Sequence, residues 1–463
     1  MESTTQSDSG RFLKNAVTFL FMDLDSPMED IHRERDILES RPEKAGLFTK
    51  SLYVTLSESR KEVKPGNEAT ISKARRRIDE WTSAYGPPSF EMIAALARFW
   101  KVAVTDLIDT PICVNDVIEL LRKRVIGQEE YVKALATLFC QSHLNNLRSR
   151  RRAEAVKNCI DDPKEYSRLP DPESPVDAVD KGEFQFHNSL LVWGPSGSGK
   201  TFAVQQLCEL TGQYCITIHC NILVQSGIVG CKIEDYFTDA YIKFNGDLNI
   251  IRHLAVIVDE CDKPKGNREF GEATYNEMLS MVDNKSEIRF RKSYDRDSDF
   301  ITIPTCDMMF IFCGCFTGLV QSEEKIGFIS HDICQASPKA GREDFIKFGL
   351  KPELVSRIHM FSYVDQIRED SFIEYLRSQS SPFLIFKEAL NEYGYEAELT
   401  EDGMAAIASA AVNLKYSMRD MESLFNQALG DALFVMAPEQ GTKLIINADY
   451  INQHITTKQA DRL

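Results

Sequence analysis

The chain has 463 residues with a formal net charge of -16 at pH 7, 43% hydrophobic and 27% charged, so two to four domains and a large core are expected. That balance excludes a small disulfide-stapled fold and a protein that coats nucleic acid over its whole surface, while leaving room for a local basic patch. Twelve cysteines are scattered, several inside apolar runs such as FIFCGCF and none in a Cys-x-x-Cys pair, so they read as reduced, mostly buried thiols and zinc is not expected.

In chain order, MESTTQSDSG lacks the basic-then-apolar order of a signal peptide, and no apolar run approaches a membrane span; a cytoplasmic location without membrane contact is expected. Residues 1–50 read as mixed helix and polar loop with no assignable role. Residues 51–112 read as a small helical domain, TISKARRRIDEW followed by PPSFEMIAALARFWKVAVTDLID, with Phe90, Ile93, Leu96, Ala97 and Trp100 near helical spacing. This order resembles the closing helices of the Cro-type helix-turn-helix family, with Ile71 to Ile78 at the recognition helix. The resemblance implies that Lys73, Arg75, Arg76 and Arg77 contact DNA phosphates and base edges. A solvated helix face accounts for the same cluster, and SESRKEVKPGNEA departs from the family's first helix pair. Ile118 to Leu147 is predicted as helix around VIGQEEYVKALATLF, and the charged, proline-rich stretch at about 150–183 as a mobile insertion.

The segment from Leu190 to Trp193 is an apolar run that ends in GPSGSGKT, Gly194 to Thr201, and a helix is predicted from Thr201. Strand, glycine loop and helix in that order form a phosphate cradle. Gly194, Gly197 and Gly199 let backbone N–H groups close on an anion, and Pro195, Ser196 and Ser198 complete the loop. Lys200 meets the β- and γ-phosphates and Thr201 ligates Mg2+. About sixty residues on, the apolar run Leu254 to Val258 ends in Asp259, expected to hold the magnesium shell through water, and Glu260, expected to polarise the attacking water of ATP hydrolysis. Alternating strands and helices from about Phe184 to Val364 signal a parallel α/β sheet. After Val364 the chain reads as mostly helical, with Thr400 as an N-cap and short β runs at EAEL and KLII.

An α/β core followed by a small helical domain, each with an arginine, is the plan of AAA+ ATPases, and several segments resemble the Clp/HslU unfoldases of ClpX type. VIGQE at Val125 to Glu129 looks like that family's opening motif, which implies that Val125 and Ile126 flank adenine. KFGLKPELVSRI looks like the segment leading to the arginine finger, Arg357, and SMRDMESLFNQAL resembles the sensor-2 helix with Arg419, although Ser417 stands where the family usually has glycine. The implied organisation is a large α/β ATPase domain at 113–365 and a small C-terminal domain at 366–463, assembled as a homo-hexamer that takes protein substrates. The match covers roughly Asp116 to the C-terminus.

Three loops carry the substrate side of this resemblance. GIVG places Ile228 and Val229 where the family's axial pore loop has an aromatic between glycines, and an ordinary glycine-bounded loop fits the same string. Arg268 falls at the second pore loop, while Arg291 and Lys292 fall at a basic substrate loop that lacks its final histidine, Ser293 standing there, or simply solvate a hairpin. Ile326, Gly327 and Phe328 match the tripeptide that docks ClpX-type rings on a ClpP-like peptidase, or a loop folded on its own core. The family's four-cysteine zinc domain has no counterpart, since the first cysteine is Cys113. The expected function is ATP-driven protein unfolding or remodelling; the alternatives are a DNA-bound AAA+ regulator and an inactive ring kept as a scaffold.

Overall fold

The near-continuous apolar runs SLLVW (β1, Ser189–Trp193), AVIVD (β3, Ala255–Asp259) and MFIFCG (β6, Met309–Gly314) become neighbouring strands, because only a strand covered on both faces accommodates such a run. The computed structural model describes residues 89–100, 103–108, 110–161, 188–223, 232–263, 268–282, 287–295, 297–319, 339–378, 381–414, 416–434 and 441–460. Two less buried strands, β2 (Cys215–His219) and β7 (Met360–Tyr363), close the edges of a parallel sheet ordered β2-β3-β6-β1-β7. The register pairs His219 with Asp259 and Trp193 with both Gly314 and Tyr363, so the strands deliver the loops that follow them to one edge.

The period-2 pleat splits β1 between two cores. Leu190 and Val192 join a cluster with Ala203, Val204 and Leu207 of α5 (Lys200–Thr211); Leu191 and Trp193 join a cluster with Phe237, Phe312, Phe316 and Phe345 on the other face. A third cluster, from Phe372 to Ile455, forms the C-terminal helical unit, where Thr400 caps its helix by accepting from the Gly403 N–H at 3.3 Å. Its strands Tyr395–Leu399 and Thr442–Ile446 pair in parallel, where the EAEL and KLII runs were expected. β4 (Glu287–Arg291) and β5 (Phe300–Pro304) form an antiparallel hairpin, and between β2 and β6 the chain also forms α6 (Ile233–Lys243), α7 (Leu248–Arg252) and α8 (Arg268–Val282). The fold is a parallel α/β core with helices before and after it.

Four structural features stand beside these expectations. First, the predicted helix across Ile118 to Leu147 is two helices, α3 (Val114–Arg122) and α4 (Glu129–Asp161). The break falls at Gly127, whose φ of +75° lies in the left-handed region. Second, α4 continues to Asp161, so the predicted insertion begins inside a helix; residues 162–187 lie outside the described residues. Third, packing crosses residue 112 without a gap: Ile93, Ala94 and Ala97 of α1 (Phe90–Trp100) and Val104 and Leu107 of α2 (Val104–Leu107) share the core of α5. Arg98 adds a hydrogen bond to the Leu210 carbonyl at 2.6 Å. Fourth, among the described cysteines Cys208, Cys220, Cys261 and Cys313 are buried, four are half-buried, and Cys113 is exposed. No helix among the described residues is long and apolar enough to cross a membrane.

Candidate nucleotide site

β1 runs straight into the loop. A Cβ on Gly194 would lie 2.0 Å from the Val364 carbonyl oxygen, so only glycine lets the loop leave the sheet beside β7. Pro195 is half-buried and Ser196 and Gly197 form the exposed tip, while Ser198 is buried and donates to the Pro195 carbonyl at 2.8 Å. Gly199, with φ of +91°, is the N-cap of α5. Lys200 opens that helix and is only 8% exposed; its ammonium donates to the carbonyls of Gly194 (2.9 Å) and Pro195 (2.6 Å) and stands 3.8 Å from Cys315 Sγ. A buried ammonium, a helix N-terminus and a glycine loop converge on one point, the arrangement that draws phosphate. Tyr131 of α4 braces it, its hydroxyl donating to the Lys200 carbonyl at 2.5 Å.

The acidic pair lies at the end of β3, beside Thr201. Thr201 Oγ1 donates to Asp259 Oδ2 at 3.2 Å, and Asp259 Oδ1 accepts the Glu260 N–H at 2.9 Å. Glu260 itself sits at φ +54°, a left-handed position for a non-glycine residue, which turns the chain sharply at the strand end. The neighbouring thiols are not acid–base groups at neutral pH, since burial pushes Cys313 up to about 12 and raises Cys220 and Cys261 as well. Burial likewise raises the Tyr131 hydroxyl far out of reach. At the far end of α5, Cys208 and Cys215 share a hydrogen bond that raises Cys208 and lowers Cys215 to about 7.

Two sets of contacts join the α/β core to the C-terminal unit. Val125 is 6% exposed and Ile126 half-buried, and the following residues join the C-terminal unit: a Cβ on Gly127 would meet Ser371 Oγ at 2.4 Å. Gln128 and Asp365 exchange hydrogen bonds, side-chain amide to carbonyl at 3.0 Å and N–H to amide oxygen at 3.2 Å. From above, Ser417 reaches the loop tip, where a Cβ on Gly197 would lie 2.5 Å from Ser417 Cβ. Arg419 follows in a 3-10 turn, Met418–Asp420. Sequence reasoning gave no role to Tyr131, Asp262, Asp365 and Ser371, and none to Gln128, although Gln128 lies within the quoted VIGQE string.

Arg357 is elsewhere. It ends α10 (Pro352–Arg357), and its carbonyl accepts from Ser189 Oγ at 2.8 Å, at the start of β1, whereas the phosphate loop follows that strand's end. Arg268 opens the helix Arg268–Val282, and Arg291 and Lys292 lie on the hairpin, Lys292 paired with Asp299 at 3.1 Å and the Arg291 guanidinium 4.7 Å from the Phe300 ring centre. Ile228, Val229, Ile326, Gly327, Phe328, Lys73, Arg75, Arg76 and Arg77 lie outside the described residues. Among the described residues no group of three or more His, Cys, Asp or Glu could hold a metal ion.

A glycine loop at the end of β1, a buried lysine and a carboxylate pair at the end of β3 define a nucleotide-hydrolysing core, and residues 190–312 match the family model described as "ATPase family associated with various cellular activities (AAA)". The matched segment is an AAA-type ATPase domain, and ATP is the nucleotide it hydrolyses. Over a longer span it is similar to "ATP-dependent Clp protease ATP-binding subunit ClpX" of Borrelia duttonii, 25% identical over 357 residues, 72% of this chain and 76% of that protein. The ClpX of Treponema denticola is 24% identical over 358 residues, 72% of this chain and 80% of that protein. ClpX 2 of Wolinella succinogenes is 22% identical over 278 residues, 57% of this chain and 70% of that protein.

Proposed function

We propose that this chain is an ATP-dependent protein unfoldase or remodelling ATPase of ClpX type, working as a ring, by resemblance a hexamer, with ATP clasped between protomers. The observation that carries this reading is the separation of Arg357 from its own phosphate loop. β1 spans five residues between the Arg357 contact at Ser189 and the loop after Trp193, about 13 Å at roughly 3.3 Å per residue. An arginine at the far edge of the sheet is poorly placed for its own nucleotide and well placed for a neighbour's, where it stabilises charge on the transferring phosphoryl group.

Within a protomer, Lys200 holds the β- and γ-phosphates and Val125 and Ile126 flank adenine. Glu260 takes the proton of the attacking water. Arg419, two residues beyond the Ser417 contact with Gly197, senses the phosphates and couples their loss to movement of the C-terminal unit. Thr201 and Asp259 offer only two protein oxygens, a set that suits Mg2+, which completes its shell with water and phosphate oxygens. Bound there, the cation neutralises phosphate charge. Ile228, Val229 and Arg268 grip the polypeptide in the axial pore, and Ile326, Gly327 and Phe328 dock a ClpP-like peptidase, a partner suggested by the relatives' name.

Glu260→Gln is expected to bind ATP with turnover lowered about 100-fold or more, the loss typical of a removed general base. Normal turnover removes Glu260 from the base role. A tagged folded protein presented with ATP is expected to unfold; failure to unfold it by an assembled, hydrolysing ring overturns the unfoldase reading.

A further inference from the structure

We propose that Asp262 is a positioning residue that sets the placement of the arginine a protomer offers to its neighbour. The inference rests on the trans role of Arg357 proposed above. Asp262 lies just past Glu260, and its carboxylate accepts two consecutive backbone N–H groups from the loop after β6, Cys315 at 3.3 Å and Phe316 at 3.0 Å. A carboxyl group offers an acceptor at each oxygen, and here both are used. The two bonds hold the start of a turn that the Leu319 N–H closes farther on by donating to the Phe316 carbonyl at 3.0 Å. Phe316 is fully buried at φ +48°, a conformation costly for an aromatic residue, and a Cβ on Gly314 would lie 2.4 Å from the Phe316 ring and 2.9 Å from Asp262 Oδ1.

From Phe316 the contacts lead to Arg357 through α9 (Arg342–Phe348). The Phe316 ring meets Phe345 edge-on at 5.1 Å and Phe348 at 5.2 Å. Phe345 also packs on Trp193, the last residue before the phosphate loop, at 5.1 Å and on Phe361 of β7 at 5.7 Å. The first residue of α9, Arg342, donates to the carbonyl of Ile358 at 3.2 Å, so α9 is tied to the residue that follows Arg357. A close-packed aromatic cluster transmits displacement rather than absorbing it. Loss of the Asp262 clamp frees Phe316 to leave its left-handed conformation and lets α9 and α10 shift together. The residue therefore links the acid-bearing loop of one site to the arginine presented to the next.

The test reads this effect in trans. Donor protomers carrying Glu260→Gln, whose own turnover is about 100-fold or more below wild type, are mixed in excess with wild-type protomers, and turnover by the wild-type protomers is measured for three donors: Glu260→Gln alone, with Asp262→Asn, and with Arg357→Ala. Asp262→Asn keeps the side-chain shape but removes one of the two acceptors. Expected is a turnover about tenfold below that with the Glu260→Gln donor, the scale set by small misplacement of a transition-state group, with nucleotide binding by the donor unchanged. If the Arg357→Ala donor lowers turnover and the Asp262→Asn donor does not, the positioning role is overturned while the trans arginine stands. If neither lowers it, the trans arginine itself falls. Should Asp262→Asn fail to fold or enter rings, Phe316→Leu in the same donor removes the ring contacts while keeping an apolar side chain. Its turnover is expected to fall likewise, and unaltered turnover overturns the proposal.

Discussion

Replacing Gly197 by alanine loads the loop tip in two separable ways. The residue sits at φ +74°, where a side chain costs about 1–2 kcal/mol, and the added methyl arrives 2.5 Å from Ser417 Cβ and 3.3 Å from its Oγ. Contact that close must be relieved by movement of the loop or of the C-terminal unit, an overpacking cost of about 1–3 kcal/mol. If ATP binding has to restore the glycine geometry, the backbone part alone weakens affinity roughly 5- to 30-fold, at about 1.4 kcal/mol per tenfold, and the contact multiplies that loss. Ser417→Gly separates the two, because it removes the obstacle and leaves the dihedral penalty. On its own it sacrifices the Ser417 Oγ bond to Asp420 Oδ2 at 2.7 Å, while the Ser417 N–H bond to the same oxygen remains. Titration of a fluorescent ATP analogue into the four proteins of this cycle, all in a Glu260→Gln background, is expected to give a coupling of about 1–3 kcal/mol, with the double variant binding more tightly than Gly197→Ala. Additive effects, or a Gly197→Ala protein that binds like its parent, refute the placement of Ser417 over the loop.

Gln128→Ala removes both bonds to Asp365 and is expected to cost about 1–3 kcal/mol locally, read as faster amide exchange across residues 365–371. Unchanged exchange there denies that the pair clamps the junction. Arg98→Ala deletes the bond to the Leu210 carbonyl, and a stability loss of about 1 kcal/mol in thermal unfolding is expected, with no change signifying that α1 is held by its apolar face alone. Alkylation of Cys215 by iodoacetamide is expected to follow a midpoint near pH 7, moving up toward about 8.5 in Cys208→Ala, where the supporting hydrogen bond is gone. Because the folded value lies below the unfolded one, the stability linked to this thiolate is present above the unfolded value and lost as pH falls through about 7. A midpoint unmoved by Cys208→Ala contradicts the pairing.

The central strands were legible because a strand buried on both faces has to be apolar throughout, and the nucleotide loop because its glycines have a backbone reason to be there. The helix break at Gly127 was not, since apolar spacing continues on both sides and the left-handed φ is needed only to bring the chain against Ser371. The burial of α1 was equally hidden: Ile93, Ala94 and Ala97 mark an apolar face, but helical periodicity says nothing about which element covers it. Asp262 looked like one more acid in a loop, because its partners are backbone groups some fifty residues on, which carry no side-chain signature.

By itself the sequence determined the chemistry of the phosphate cradle, the acidic pair and the parallel α/β class, because glycine access, lysine charge and strand burial act over a few neighbouring residues. Tertiary structure alone decided which edge of the sheet each group occupies. The parallel register brings Lys200, Thr201, Asp259 and Glu260 together and leaves Arg357 beside Ser189 at the opposite end of β1. The distance between those ends depends on strand direction and pairing across more than a hundred residues, and local composition does not encode it.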